Sequence, residues 1–296
     1  MISRNRHLRG FQLAGLFAFI LLLCSQLIAA ETELSIVGTF EGNEIPGRFL
    51  YHQTDDGLVV NYHSPSLNKD FSYSIANFDE CSSMSLYVVP HLPQIVIDGS
   101  CSSVGGQIFQ NVYQWNKSKG NWCLVREITG ERPDLPAGKI LPSEQIARVV
   151  NCPLLGESGP YTYEPPDEVS RDVTAELERF KIARLRKETL GKFLDSISPF
   201  DARDLAHYIT IENVSDINDL VFYLSEAGRA FDALPVLLKI TEEYPTRVVA
   251  KLNLADAYWE NGYKREAKKA YAQYIVEMRN RGLDSKVPMR AKVRGD

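Results

Sequence analysis

The feature that most restricts how this chain can fold is a self-similarity at a fixed distance. Gly228 and Gly262 stand 34 residues apart. The same interval separates Leu220 from Leu254, Leu224 from Tyr258, Ala233 from Ala267, Leu237 from Tyr271 and Ile240 from Tyr274. Six matched pairs at one spacing define a repeated unit. Small residues and glycine recur where two antiparallel helices would cross and turn. Alanine at a crossing lets two backbones approach, and glycine between helices supplies a residue free to take positive φ. One such pair cannot cover its own apolar face, so about three units are needed for a stable stack.

Over residues 214–280 this pattern resembles the tetratricopeptide repeat (TPR) family, with two units at about 214–247 and 248–281. Val221 and Ala255 take the small or apolar site of the first helix, Ala233 and Ala267 the close-packed site of the second, and Pro245 the closing proline. The second unit departs there, with Met278-Arg279. The resemblance implies a helical solenoid whose first helices line a groove for a protein partner. Mapped from the turn glycine, that face is Asn218, Phe222 and Ser225 in the first unit, then Leu252, Asp256 and Trp259 in the second. Some members clamp a carboxylate with a lysine and an asparagine. The corresponding positions here are Asn218, Phe222, Leu252 and Asp256, so a cationic clamp is not implied. A small aromatic and acidic groove around Phe222 and Trp259 is one expectation. Packing of both aromatics against a cap helix or the N-terminal domain is the other.

Upstream, VTAELERFKIARLRKETLGKFLDSI carries apolar residues at Val173, Leu177, Phe180, Ile182, Leu185, Leu190, Phe193 and Leu194, which predicts one long amphipathic helix. Its basic residues Arg179, Lys181, Arg184, Arg186 and Lys187 predict a solvated face balanced by Glu176, Glu178 and Glu188. A shorter helix at 201–209 follows, with Asp201 as the expected N-cap. These helices are expected to supply the missing third pair. Residues 33–152 instead alternate in the manner of short strands, rich in β-branched and aromatic residues and parted by Gly, Asn, Asp and Pro. The clearest hairpin is NVYQWNKSKGNWCLVREI at 111–128, with Trp115 and Trp122 flanking its turn. The expected fold class is therefore α+β. An N-terminal antiparallel all-β domain (31–155) leads through a proline-rich linker (156–169) to an α-helical TPR-type domain (170–296).

Residues 1–30 have the order of a secretory signal peptide: Arg4, Arg6 and Arg9, an apolar run at 11–23, then Ala29-Ala30. Lipidation at Cys24 and an uncleaved anchor are the alternatives, and membrane contact is expected only with one of these. Four cysteines follow, Cys81, Cys101, Cys123 and Cys152. An even number in an exported domain favours disulfides over buried free thiols. Of three connectivities, Cys81–Cys101 with Cys123–Cys152 closes the shorter loops. The net charge of −5 becomes more negative without residues 1–30, which hold three arginines and no acid. That disfavours nucleic acid and suits a basic protein partner.

Candidates for chemistry are sparse. The five histidines form no metal-ligand spacing, and Gly156-Glu157-Ser158-Gly159 lacks the closing glycine of a nucleophile elbow. No catalytic residue, metal or cofactor is expected. The sequence thus predicts a non-enzymatic protein-binding scaffold of the bacterial envelope, periplasmic or secreted. An immunity protein against a periplasmic effector is one form suggested by architectural analogy. The alternative is a cell-wall- or lipid-active enzyme or ligand-binding module built on the β domain.

Overall fold

The alternating segments form two consecutive antiparallel meanders. A computed structural model describes residues 33–78, 83–101, 107–131, 143–164 and 173–295. The first sheet runs β1 (Leu34–Gly38), β2 (Gly47–Thr54), β3 (Gly57–Ser64) and β4 (Lys69–Ala76) in that order. The second runs β5 (Ser83–Val88), β6 (Gln94–Cys101), β7 (Gln107–Asn116), β8 (Asn121–Glu131) and β9 (Ser143–Arg148). Period-two alternation sends one side chain in two inward. Phe49, Leu58, Val60 and Tyr62 of the first sheet thus share a core with Leu86, Ile97, Trp115 and Trp122 of the second. Trp115 and Trp122 are cross-strand partners beside the expected turn, with ring centroids 5.4 Å apart.

A bulge decides what the second sheet shows its other side. The β7–β8 register shifts between Val112 and Tyr113, so that Val112 pairs with Arg126 but Tyr113 with Leu124. Val125 is the extra residue. It puts Arg126 and Ile128 on the opposite face from Trp122 and Leu124, which a regular strand could not do. That outer face, through Val96, Val112 and Ile128, receives Phe200 from the helical region. Part of the expected linker also belongs to the β structure. Tyr161 packs against the shared core, and Tyr163 bridges to Val149.

The helices are α1 (Val173–Ala183), α2 (Lys187–Asp195), α3 (Pro199–Asp204), a 3-10 turn (Leu205–Tyr208), α4 (Val214–Glu226), α5 (Ala230–Glu243), α6 (Val248–Glu260), α7 (Lys264–Asn280) and α8 (Met289–Gly295). The single long helix expected over 173–195 is two. At about 100° per residue, Phe193 would lie on the far side of an unbroken helix from Phe180. The turn at 184–186 brings the two rings to 5.9 Å. Thr189 Oγ1 lies within hydrogen-bond distance of the Ala183 and Arg186 carbonyls (2.7 and 2.9 Å), tying the first turn of α2 back to the end of α1. Ile182 and Leu185, placed on the apolar stripe by the sequence, are instead 69% and 78% exposed. The N-cap of α3 is Ser198, whose hydroxyl accepts from the Asp201 backbone N–H at 2.9 Å, so Asp201 lies inside the first turn.

The 34-residue self-similarity is realised as two helical hairpins, α4–α5 and α6–α7, with Gly228 at φ +83° and Gly262 at φ +82°. Ala233, Ala255 and Ala267 are fully buried, as close crossings require. Cys123 and Cys152 are disulfide-bonded. The expected Cys81–Cys101 pairing and residues 1–30 lie outside the described residues. Among the described residues, no helix is long and apolar enough to cross a membrane.

Candidate partner-binding site

The six groove positions separate into two groups. Asn218 and Leu252 face inward. Asn218 is 6% exposed and its Oδ1 accepts from Asn253 Nδ2 at 3.2 Å, tying α4 to α6 within the stack. Leu252 packs against the helical core. Ser225 is only half-buried, although its Oγ is shut away from water. Phe222, half-buried, sets its ring edge-on to Tyr223 at 5.2 Å.

Asp256 and Trp259 form the second group, and their surroundings are cationic. α8 carries two arginines one helical turn apart, so both point the same way. Arg290 forks onto Asp256: Nη2 donates to Oδ2 at 2.8 Å, and Nε lies 3.1 and 3.2 Å from the two oxygens. Arg294 Nη1 lies 3.5 Å from Asp256 Oδ1 and 3.6 Å from Glu260 Oε1. Its guanidinium carbon sits 4.8 Å from the Trp259 ring centroid, and Lys264 Nζ lies 3.8 Å from the same centroid. Cations over an indole face are attracted by the ring quadrupole. The Tyr271 hydroxyl donates to Asp256 and accepts from Arg294 Nη1 at 3.0 Å.

Electrostatics follow this geometry. Hydrogen bonding to Asp256 raises the Arg290 pKa against its partial burial, and Glu226 adds to the pull. Burial, then the bond to Asp256, pushes Tyr271 up to about 12, so its proton stays available to Asp256 at neutral pH. Asp256, Glu226 and Glu260 thus make an acidic cup with an indole wall, suited to guanidinium groups. A planar fork on a carboxylate adds geometric selectivity that an ammonium lacks. Sequence reasoning found Asp256 and Trp259 but missed Arg290, Arg294 and Tyr271. Its available signal was the basic pair in MRAKVR at helical spacing.

The β region offers less for chemistry. His63 Nδ1 and Asp70 Oδ1 meet at 2.8 Å, yet their side chains are 47% and 86% exposed, so water screens the pair. Among the described residues, no group of three or more His, Cys, Asp or Glu could hold a metal. No family model matches the chain, and no curated protein or solved structure matches it significantly.

Proposed function

We propose that this chain is an exported, non-enzymatic protein-binding scaffold of the bacterial envelope. In this reading α4–α7 form a two-unit TPR-type module that takes a basic partner at the cup around Asp256 and Trp259. One observation carries it: these residues hold two guanidinium groups, one by a carboxylate fork and one over an indole. Matched residues at a 34-residue interval and the paired positive-φ glycines support the module assignment. The Cys123–Cys152 disulfide fits an oxidising compartment and so supports export.

The test is capture of a partner from the cell envelope by residues 31–296, with Asp256→Asn and Trp259→Ala variants in parallel. Loss of one defined partner with both variants is the expected result. A partner retained by both variants would move the binding site to the β region and sink this reading.

A further inference from the structure

We propose that α8 is a displaceable internal occupant of the acidic cup. The external ligand is then a basic helical segment presenting two arginines four positions apart. This rests on the groove reading above and adds the partner's chemistry and a closed state.

The first ground is mimicry by the chain itself. Arg290 and Arg294 already satisfy Asp256, Glu260 and the Trp259 face. Whatever else binds there must displace them, and the contacts they make specify what it must offer.

The second ground is how α8 is attached. Within the helix only Ala291 is buried, whereas Met289 and Val293 are 73% and 69% exposed. By contrast α4 buries Val214, Ile217, Leu220, Val221 and Leu224. Apolar burial fixes α4 in place but does little for α8. Beyond Ala291 and the close approach of Gly295 to Tyr271 and Ile275, what holds α8 is charged, and the Arg290 and Arg294 side chains keep 44% and 25% of their exposure. Such contacts are weak singly, are screened by salt, and can be duplicated by another guanidinium. A seven-residue helix has little stability of its own once released. Val287, 6% exposed, tethers the segment just before the helix, so α8 can leave the cup without unpacking the stack.

A tethered occupant competes at a high effective concentration, so a free ligand binds the closed chain weakly. The probe is a synthetic peptide reproducing residues 284–295, with a control peptide carrying serine at both arginine positions. Binding is followed by calorimetry in about 50 mM salt, where screening is modest. The targets are the full chain, its Arg290→Ser/Arg294→Ser variant, and that variant with Asp256→Asn added.

The emptied double variant should bind the arginine peptide about tenfold or more tightly than the unmodified chain. It should not bind the serine peptide, and Asp256→Asn should abolish the gain. Saturating peptide should also speed amide exchange at 289–295 in the unmodified chain. Equal affinity for both chains, binding that survives Asp256→Asn, or unchanged exchange at 289–295 would overturn the proposal. Thermal unfolding of each variant excludes misfolding as the cause. Partner capture keeps the two ideas apart. Capture that needs Asp256 but does not improve in the double variant leaves the groove reading standing and ends the displacement idea. Capture indifferent to Asp256 ends the groove reading itself.

Discussion

One dihedral angle closes each helical hairpin. Gly228 lies at φ +83°, and a Cβ built there would meet nothing within 4 Å. The demand for glycine is thus conformational and not a matter of space. Gly228→Ala should cost about 1–2 kcal/mol and Gly228→Asn less, since asparagine tolerates left-handed backbone. Urea midpoints would show both. Glu41 makes a comparable case in the β region. It is 2% exposed, accepts from the Tyr62 hydroxyl at 2.6 Å and from the Ser66 backbone N–H at 3.3 Å. Burial raises its pKa, but hydrogen bonds from Ser64, Ser66 and Tyr62 outweigh that and leave it lowered. A lowered folded-state value stabilises the fold above the unfolded pKa of about 4.3, and this is lost as pH falls through the folded value. Glu41→Gln should therefore flatten the decline of the urea midpoint between about pH 5 and pH 3.

At the scale of elements, caps and charged ties set boundaries that periodicity misses. Ser198 caps α3, and its hydroxyl also donates to Asp201 Oδ2 at 2.6 Å while Asp201 accepts from Arg126 of β8. Ser198→Ala should cost about 1 kcal/mol, read from chemical denaturation. A larger loss would mean that the cap also orients Asp201 for Arg126. The basic face of α1 is a tie as well. Lys181 meets Asp216 at 2.9 Å, and Arg184, in the turn just after α1, meets Asp219 at 2.8 Å, joining the end of α1 to α4. The sequence weighed these charges against acids on their own helix. It could not show that acids of α4 would arrive, because that depends on how α1 docks.

Across the whole molecule, charges join the β and helical regions. Arg148 of β9 meets Asp204 at 2.8 Å, and Arg203 of α3 lies 3.0 Å from Glu144 and 3.3 Å from Asp232. The side chains of Arg203, Glu144 and Asp232 are only 12%, 15% and 11% exposed. Removing the arginine would strand Glu144 away from water, while Asp232 keeps Arg229 at 2.9 Å. Arg203→Ala should thus destabilise the chain by about 3 kcal/mol, measured by guanidinium unfolding. Replacing Cys123 and Cys152 by serine opens a loop with a sequence separation of 29. Chain entropy puts the loss at about 3–4 kcal/mol, to be measured by comparing urea unfolding of the two forms.

What the sequence by itself determined was periodic and local. Period two gave the strands, a 34-residue interval gave the paired hairpins, and glycine marked their turns, because each follows from repeated local geometry. Even Asp256 and Trp259 could be placed from that interval. The tertiary structure alone decided what surrounds them. α8 returns to Asp256 from 34 residues away, a β-bulge turns Arg126 toward α3, and Phe200 closes over the second sheet. The last two join residues with no shared period, and Arg290, though one 34-residue interval beyond Asp256, lies past the two matched units. All three contacts form only where packing of whole elements makes charged and apolar groups meet, and no local pattern carries that information.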